Sequence, residues 1–154
     1  YRVTGLEPSQ FAPLFALSDA ELAAQGAVRS IADRTGAYPC RISMRRVDKG
    51  EELILLNFAH HQSPHSPYRA TGPIYIARNA QTAASYENEL PPMMRDTLFS
   101  LRAYDKAGMM VEGDIAEGPY ADQAIRKLLK LSSVETVHAH FARRGCFAAA
   151  FVRA

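Results

Sequence analysis

Two strand-like runs, Val134 to Ala142 and Cys146 to Arg153, are separated only by Arg143-Arg144-Gly145. This spacing constrains the chain more than any other feature, because strands so close in sequence pair antiparallel through a tight turn. A two-residue loop would force positive φ on both arginines. A type I turn over them, with Gly145 in the left-handed bulge position, has no such cost. That turn pairs Ala142 with Cys146, His140 with Ala148 and His138 with Ala150. One face then reads His138, His140, Ala142, Cys146, Ala148, Ala150, and the other Val137, Ala139, Phe141, Phe147, Ala149, Phe151. Strand side chains alternate between the two sides, so the phenylalanine side is the core side. The alanines opposite the histidines leave room above the polar side for a ligand or another layer. A one-residue change in the loop would send Cys146 to the opposite face.

The remaining signals assemble a sheet around this hairpin. Arg2 to Leu6 is extended, and Ser18-Asp19-Ala20-Glu21 is a capping box opening a helix that stops near Gly26. A second short helix is expected over Val28 to Arg34. Strands follow at Cys40 to Arg46 and Glu52 to Phe58, joined by the polar turn Asp48-Lys49-Gly50, and His60 to Gly72, with Pro64 and Pro67, reads as a loop. Pro73 to Arg78 is the next strand, Asn79 to Pro92 a surface excursion, and Leu98 to Tyr104 with Met109 to Ala116 a hairpin turning at Asp105-Lys106-Ala107-Gly108. Pro119 then opens a helix burying Ala121, Ala124, Ile125, Leu128 and Leu131. This order predicts an α+β fold: a mostly antiparallel sheet of about six to seven strands, with two or three helices packed on one face.

A length of 154 residues suits a single domain with a substantial core, and 22% charged residues is ordinary for a globular protein. A formal net charge of +2 gives no reason to propose a nucleic-acid or membrane partner. No apolar run approaches a membrane span, and the first residues lack a basic stretch followed by an apolar one. Two cysteines make no disulfide framework, so a reducing cytoplasm is the expected setting. Cys40 would share a strand face with Ile42, which favours core packing, although a Cys40–Cys146 bridge is the alternative.

Three chemistries are open to the hairpin. On one strand face His138 and His140 stand roughly 7 Å apart, and a third ligand from the distant loop, His60, would complete a metal site with a position left for water or substrate, as in catalytic zinc centres. Cys146 is the alternative third ligand; alternatively it is a catalytic nucleophile with His140 or His138 as its base. Arg69 and Tyr68, and Arg102 and Tyr104, pair a guanidinium with a phenol and are candidates to hold an anionic substrate, unless Arg69 merely pairs with Asp105. Glu112 and Asp114 share a strand face, expected to be the solvated side of a strand whose other side shows Met109, Val111 and Ile115 to the core. Gly-rich phosphate loops and dinucleotide fingerprints are absent.

Several segments together carry a resemblance: Leu17-Ser18-Asp19-Ala20-Glu21-Leu22, Tyr38-Pro39-Cys40-Arg41, Ser66-Pro67-Tyr68-Arg69-Ala70, Leu101-Arg102-Ala103-Tyr104-Asp105, Gly108-Met109-Met110-Val111, and His138-Ala139-His140 with Gly145-Cys146. In this order, from about Phe11 to Ala154, the chain resembles the bacterial domain of unknown function 1203 family. The resemblance implies a shared architecture but no activity, and His61 and His65 stand outside its pattern. Three classes of function follow. One is an enzyme acting on a small polar or anionic molecule by transfer or hydrolysis. Another is a pocket that holds a metabolite, or a divalent metal such as zinc, without turnover. The third is an interaction protein docking a subunit on the polar face, with an edge strand able to pair in a homodimer.

Overall fold

The computed structural model describes residues 1–154. Its elements are β1 (Arg2–Thr4), α1 (Asp19–Ala24), β2 (Val28–Ile31), β3 (Glu52–His61), β4 (Ala70–Ala77), β5 (Ser85–Glu87), β6 (Leu98–Tyr104), β7 (Met110–Glu117), α2 (Gly118–Leu129), β8 (Thr136–Phe141) and β9 (Phe147–Val152). The fold is α+β and mostly antiparallel, as the sequence pattern implies. It has two sheets where one was expected: six strands in the order β5-β1-β9-β8-β6-β7, and three in the order β2-β3-β4. Only two α-helices form, and α1 is short.

The chain divides into two compact units, one of Tyr1–Thr4, Ala59–Gly72 and Ser85–Ala154, the other of Gly5–Phe58 and Pro73–Ala84. In the second unit the capping box forms as expected: Glu21 N–H donates to Ser18 Oγ at 3.3 Å, and Ser18 N–H donates to Glu21 Oε2 at 2.7 Å. Leu22 of α1 packs with Leu53, Ile54, Ile74, Ile76 and Ile42, and Cys40 sits inside this core, accepting the Ala77 N–H on its sulfur at 3.3 Å. Two expected elements are corrected. Val28 to Ile31 is a strand rather than a helix, paired with β3 from Val28↔Leu55 to Ile31↔Glu52. Its β-branched ends fit a ladder, and the positive φ of Gly26 (71°) has already ended α1. Cys40 to Arg46 is a turn rather than a strand: Met44 adopts φ 52° and its N–H returns to the Cys40 carbonyl at 3.0 Å.

In the first unit the six-stranded sheet lays one face against α2. That face presents Phe99, Leu101 and Ala103 from β6, Val137, Ala139 and Phe141 from β8, and Ala149 and Phe151 from β9, all buried. Against them α2 buries Ala121, Ile125, Leu128 and Leu129. Each leucine, isoleucine, valine or phenylalanine so covered is worth about 1.5–3 kcal/mol of transfer free energy. Leu131, expected on the buried stripe, lies past the helix end and is exposed. Val111 and Ile115 are also exposed rather than inward, because Ile115 pairs with Ser100 and so points away from α2; Ala116, opposite Phe99, is the residue β7 gives to the core.

β7 is an outer strand whose backbone would ordinarily invite a further strand. Glu112 and Asp114 occupy that edge themselves, their carboxylates accepting the N–H groups of Gly113 at 2.9 Å and Ile115 at 2.8 Å. No helix in the protein is long and apolar enough to cross a membrane.

Gly118 opens α2 so close to the Arg95 carbonyl that a methyl group would fall on that oxygen. Gly118→Ala should therefore lower the unfolding free energy by ~1–3 kcal/mol in urea titrations. Gly113→Ala, whose new Cβ would meet only the Leu101 carbonyl at 3.5 Å, should change it by less than about 1 kcal/mol.

Candidate metal centre

With Val137, Ala139 and Phe141 of β8 in the core, alternation sends His138 and His140 to the opposite face of the sheet. β6 lies alongside, with Arg102 opposite His138 and Ser100 opposite His140. On the other flank the hairpin departs from the expected register. The turn encloses one more residue, closing with the Phe141 N–H on the Cys146 carbonyl at 3.0 Å, while the Gly145 N–H returns to the Phe141 carbonyl at 2.7 Å. Gly145 takes φ 73°, the left-handed conformation its type allows. A bulge at Ala148 then restores the parity, so His138 pairs with Ala150 as expected but His140 pairs with Phe147.

Between turn and bulge the faces are exchanged. Phe147 therefore joins the histidine side rather than the core side. Cys146 falls opposite Phe141, on the side away from His140, so the common face expected for Cys146 and the two histidines does not form.

The third histidine comes from β3, which continues through His60 and His61 rather than stopping at Phe58. The loop beyond it is tied to the β6–β7 turn. His61 Nε2–H donates to the Gly108 carbonyl at 2.9 Å, Ser66 Oγ–H donates to the same oxygen at 2.6 Å, and Ser63 Oγ–H donates to the Ala107 carbonyl at 2.8 Å. The turn is held in return by Asp105, whose carboxylate accepts the N–H groups of Ala107 and Met109, each at 2.9 Å. Gly108 must be glycine here: its φ is 79°, and a Cβ would collide with the Ser63 side chain.

This clamp lays His60 over the β8 pair. Its ring centroid is 4.9 Å from that of His140 and 6.2 Å from that of His138, and Phe147 stacks on it at 5.3 Å with an interplanar angle of 3°. One ligating atom from each of His60, His138 and His140 lies within 4.8 Å of the other two. His140 Nδ1 is 3.1 Å from the Gly145 carbonyl, which can only accept, so Nδ1 carries the proton and Nε2 keeps the lone pair. His60 Nδ1 and His138 Nδ1 are buried with no hydrogen-bond partner. A buried polar atom left so costs about 1–3 kcal/mol, which a bound ligand would recover.

His138 and His140 are 5% and 1% exposed. Burial, reinforced by the neighbouring histidines and Arg102, pushes the His138 imidazole down to about 3. Burial, with Arg102 and His61, pushes His60 down to about 4. Both rings are thus neutral at physiological pH, the state that ligates a metal.

The other candidates fall at the margin. Tyr104 is buried, its ring 4.1 Å from that of His61 and 4.9 Å from that of His138. Tyr68, partly exposed, approaches Tyr104 at 6.3 Å. Arg69 is exposed and forms no ion pair with Asp105, whose carboxylate serves its own turn. Neither cysteine is in a disulfide. Sequence reasoning missed Phe147 and His61. The first enters only through the bulge, for which a run of alanines gives no signal. The second is placed by its bond to Gly108, a partner 47 residues away.

In metal-free protein the depressed histidines make stability rise with pH. The unfolded chain takes up protons as pH falls through about 6.5 while the folded one does not, so stability is complete above that value and lost toward 3–4. Urea unfolding should show His138 alone contributing a loss on the order of 2–3 kcal/mol between pH 6.5 and 4.5. Carboxylates held down by partners, such as Glu51 beside Arg45 and Asp122 beside Arg126, lose their contribution only below about 4.5. A flat profile across the upper window would rule out buried neutral imidazoles.

Residues 37–153 match the model of a family described as a protein of unknown function, DUF1203. That span holds all the residues of the candidate centre, whereas the capping box of α1 precedes it. Nothing among curated proteins or among solved structures matches the chain. The match covers most of the chain, and the protein belongs to the DUF1203 family.

Proposed function

We propose that His60, His138 and His140 form a three-histidine centre for a divalent transition metal, zinc being the natural occupant, with a fourth position left for water or a small ligand. The observation that carries this reading is the convergence of three imidazoles within 4.8 Å, two of them with buried nitrogens that have no other partner. Tetrahedral zinc with bonds near 2.0–2.1 Å needs ligand nitrogens about 3.3 Å apart, so modest ring rotations would close the site. An all-imidazole set suits zinc, copper, nickel or iron and not magnesium or calcium, which require oxygen ligands. The backbone carbonyl of Gly145 is the partner that fixes the His140 tautomer, in the way metal-ligating histidines are oriented.

When bound, the metal would supply Lewis acidity and would lower the pKa of a coordinated water. Transfer or hydrolysis of a small polar molecule is the enzymatic form of this reading, and a binding centre without turnover is its plainer form. The burial of His138 and His140 restricts either one to a small ligand.

Purified protein loaded with zinc and then desalted should retain about one equivalent by elemental mass spectrometry. Removing His60, His138 or His140 by alanine substitution should weaken zinc binding by at least about 100-fold, more than the loss of an outer-shell partner. His65→Ala, in the exposed loop, should leave it unchanged. At a thousandfold excess over its dissociation constant the metal should stabilise the wild type by about 4 kcal/mol. Retention below a tenth of an equivalent by the wild type would reject the centre.

A further inference from the structure

We infer that the open side of this centre takes a small carboxylate-type oxyanion, one oxygen directed to the metal and the anion held in place by the Arg102 guanidinium. The inference rests on the metal reading and adds the class of ligand.

Position is the first argument. Arg102 of β6 is in register with His138 of β8. Directly opposed residues on one sheet face hold their Cβ atoms roughly 4.5–5.5 Å apart, within reach of a long side chain. Arg102 is itself half-buried. Two residues further along β6, on the same face, Tyr104 stands with its ring 4.9 Å from that of His138. The cation is therefore rooted beside the cluster by the register of β6 and β8.

Charge is the second argument. The protein pairs its arginines with acids at Arg29, Arg45, Arg78, Arg95 and Arg126, but Arg102 takes part in none of these ion pairs. No aspartate or glutamate is among the groups that act most strongly on His60 or His138, and none belongs to the ligand cluster. A divalent ion there would sit beside a guanidinium with no protein carboxylate to balance either charge. Uncompensated charge in a partly buried site is costly, and an anionic ligand is the remaining source of compensation.

Shape is the third. The planar fork of arginine matches the two oxygens of a carboxylate, which can share one of them with a metal. With His138 and His140 almost wholly covered, and Phe147 stacked on His60, a bulky anion is excluded.

Cobalt(II) in place of zinc gives a visible spectrum that reports its coordination. Acetate titrated into the cobalt-loaded protein should change that spectrum saturably, and Arg102→Gln should raise the apparent acetate dissociation constant at least tenfold while cobalt affinity changes less than threefold. Tyr104→Phe should raise it by a smaller factor, since it removes only a phenol beside the guanidinium; it serves as the second variant if Arg102→Gln folds poorly. Cobalt bound with no acetate response, or with an equal response in Arg102→Gln, would overturn the anion inference and leave the metal centre standing. Failure of the wild type to take up cobalt or zinc would overturn both.

Discussion

The two-sidedness of β8 is the constraint on which the rest depends. Val137, Ala139 and Phe141 are fixed in the core beneath α2, and a strand cannot turn one residue without turning all of them. The hydrophobic effect acting on three side chains thus holds His138 and His140 on the opposite face. Moving these two side chains to the other face would require withdrawing Val137 and Phe141 from the core, at several kcal/mol together. The candidate centre inherits its rigidity from packing it takes no part in.

The second determinant is the clamp between the β3–β4 loop and the β6–β7 turn. It rests on two carbonyls, that of Gly108, which accepts from both His61 and Ser66, and that of Ala107, which accepts from Ser63. The turn can present these oxygens because Gly108 adopts positive φ and because Asp105 holds the turn from within. These are local polar interactions of modest individual strength, yet together they decide where His60 lies over the β8 pair. Burial then works on the assembled rings, since desolvation disfavours the charged imidazole and the neighbouring histidines and Arg102 act in the same direction. With His60 and His138 neutral and desolvated and His140 fixed in tautomer, the cluster has properties that a borderline cation selects.

Much of this was legible in the residues themselves. The α+β class, the capping box at Ser18, the helix opened at Pro119, the left-handed Gly145 and the shared face of His138 and His140 all follow from local rules of period and turn chemistry. His60 was legible as a candidate third ligand only by residue type, since its segment read as loop. Where reading failed, long-range pairing had overridden a local preference. Val28 to Ile31 became a strand because β3 was there to pair with it, and Ile115 faces outward because the register of β6 and β7 sets it opposite Ser100.

The sequence by itself determined which residues alternate, where the chain reverses, and that two imidazoles share a side, because strand period and glycine's backbone freedom are properties of neighbours along the chain. Only the tertiary structure decided that His60 completes the cluster, that Phe147 covers it and that Cys146 turns away. Those outcomes depend on one residue of loop length, one bulge and a bond to a carbonyl 47 residues distant. Alternatives at these points lie close in local energy, and contacts made at long range select among them.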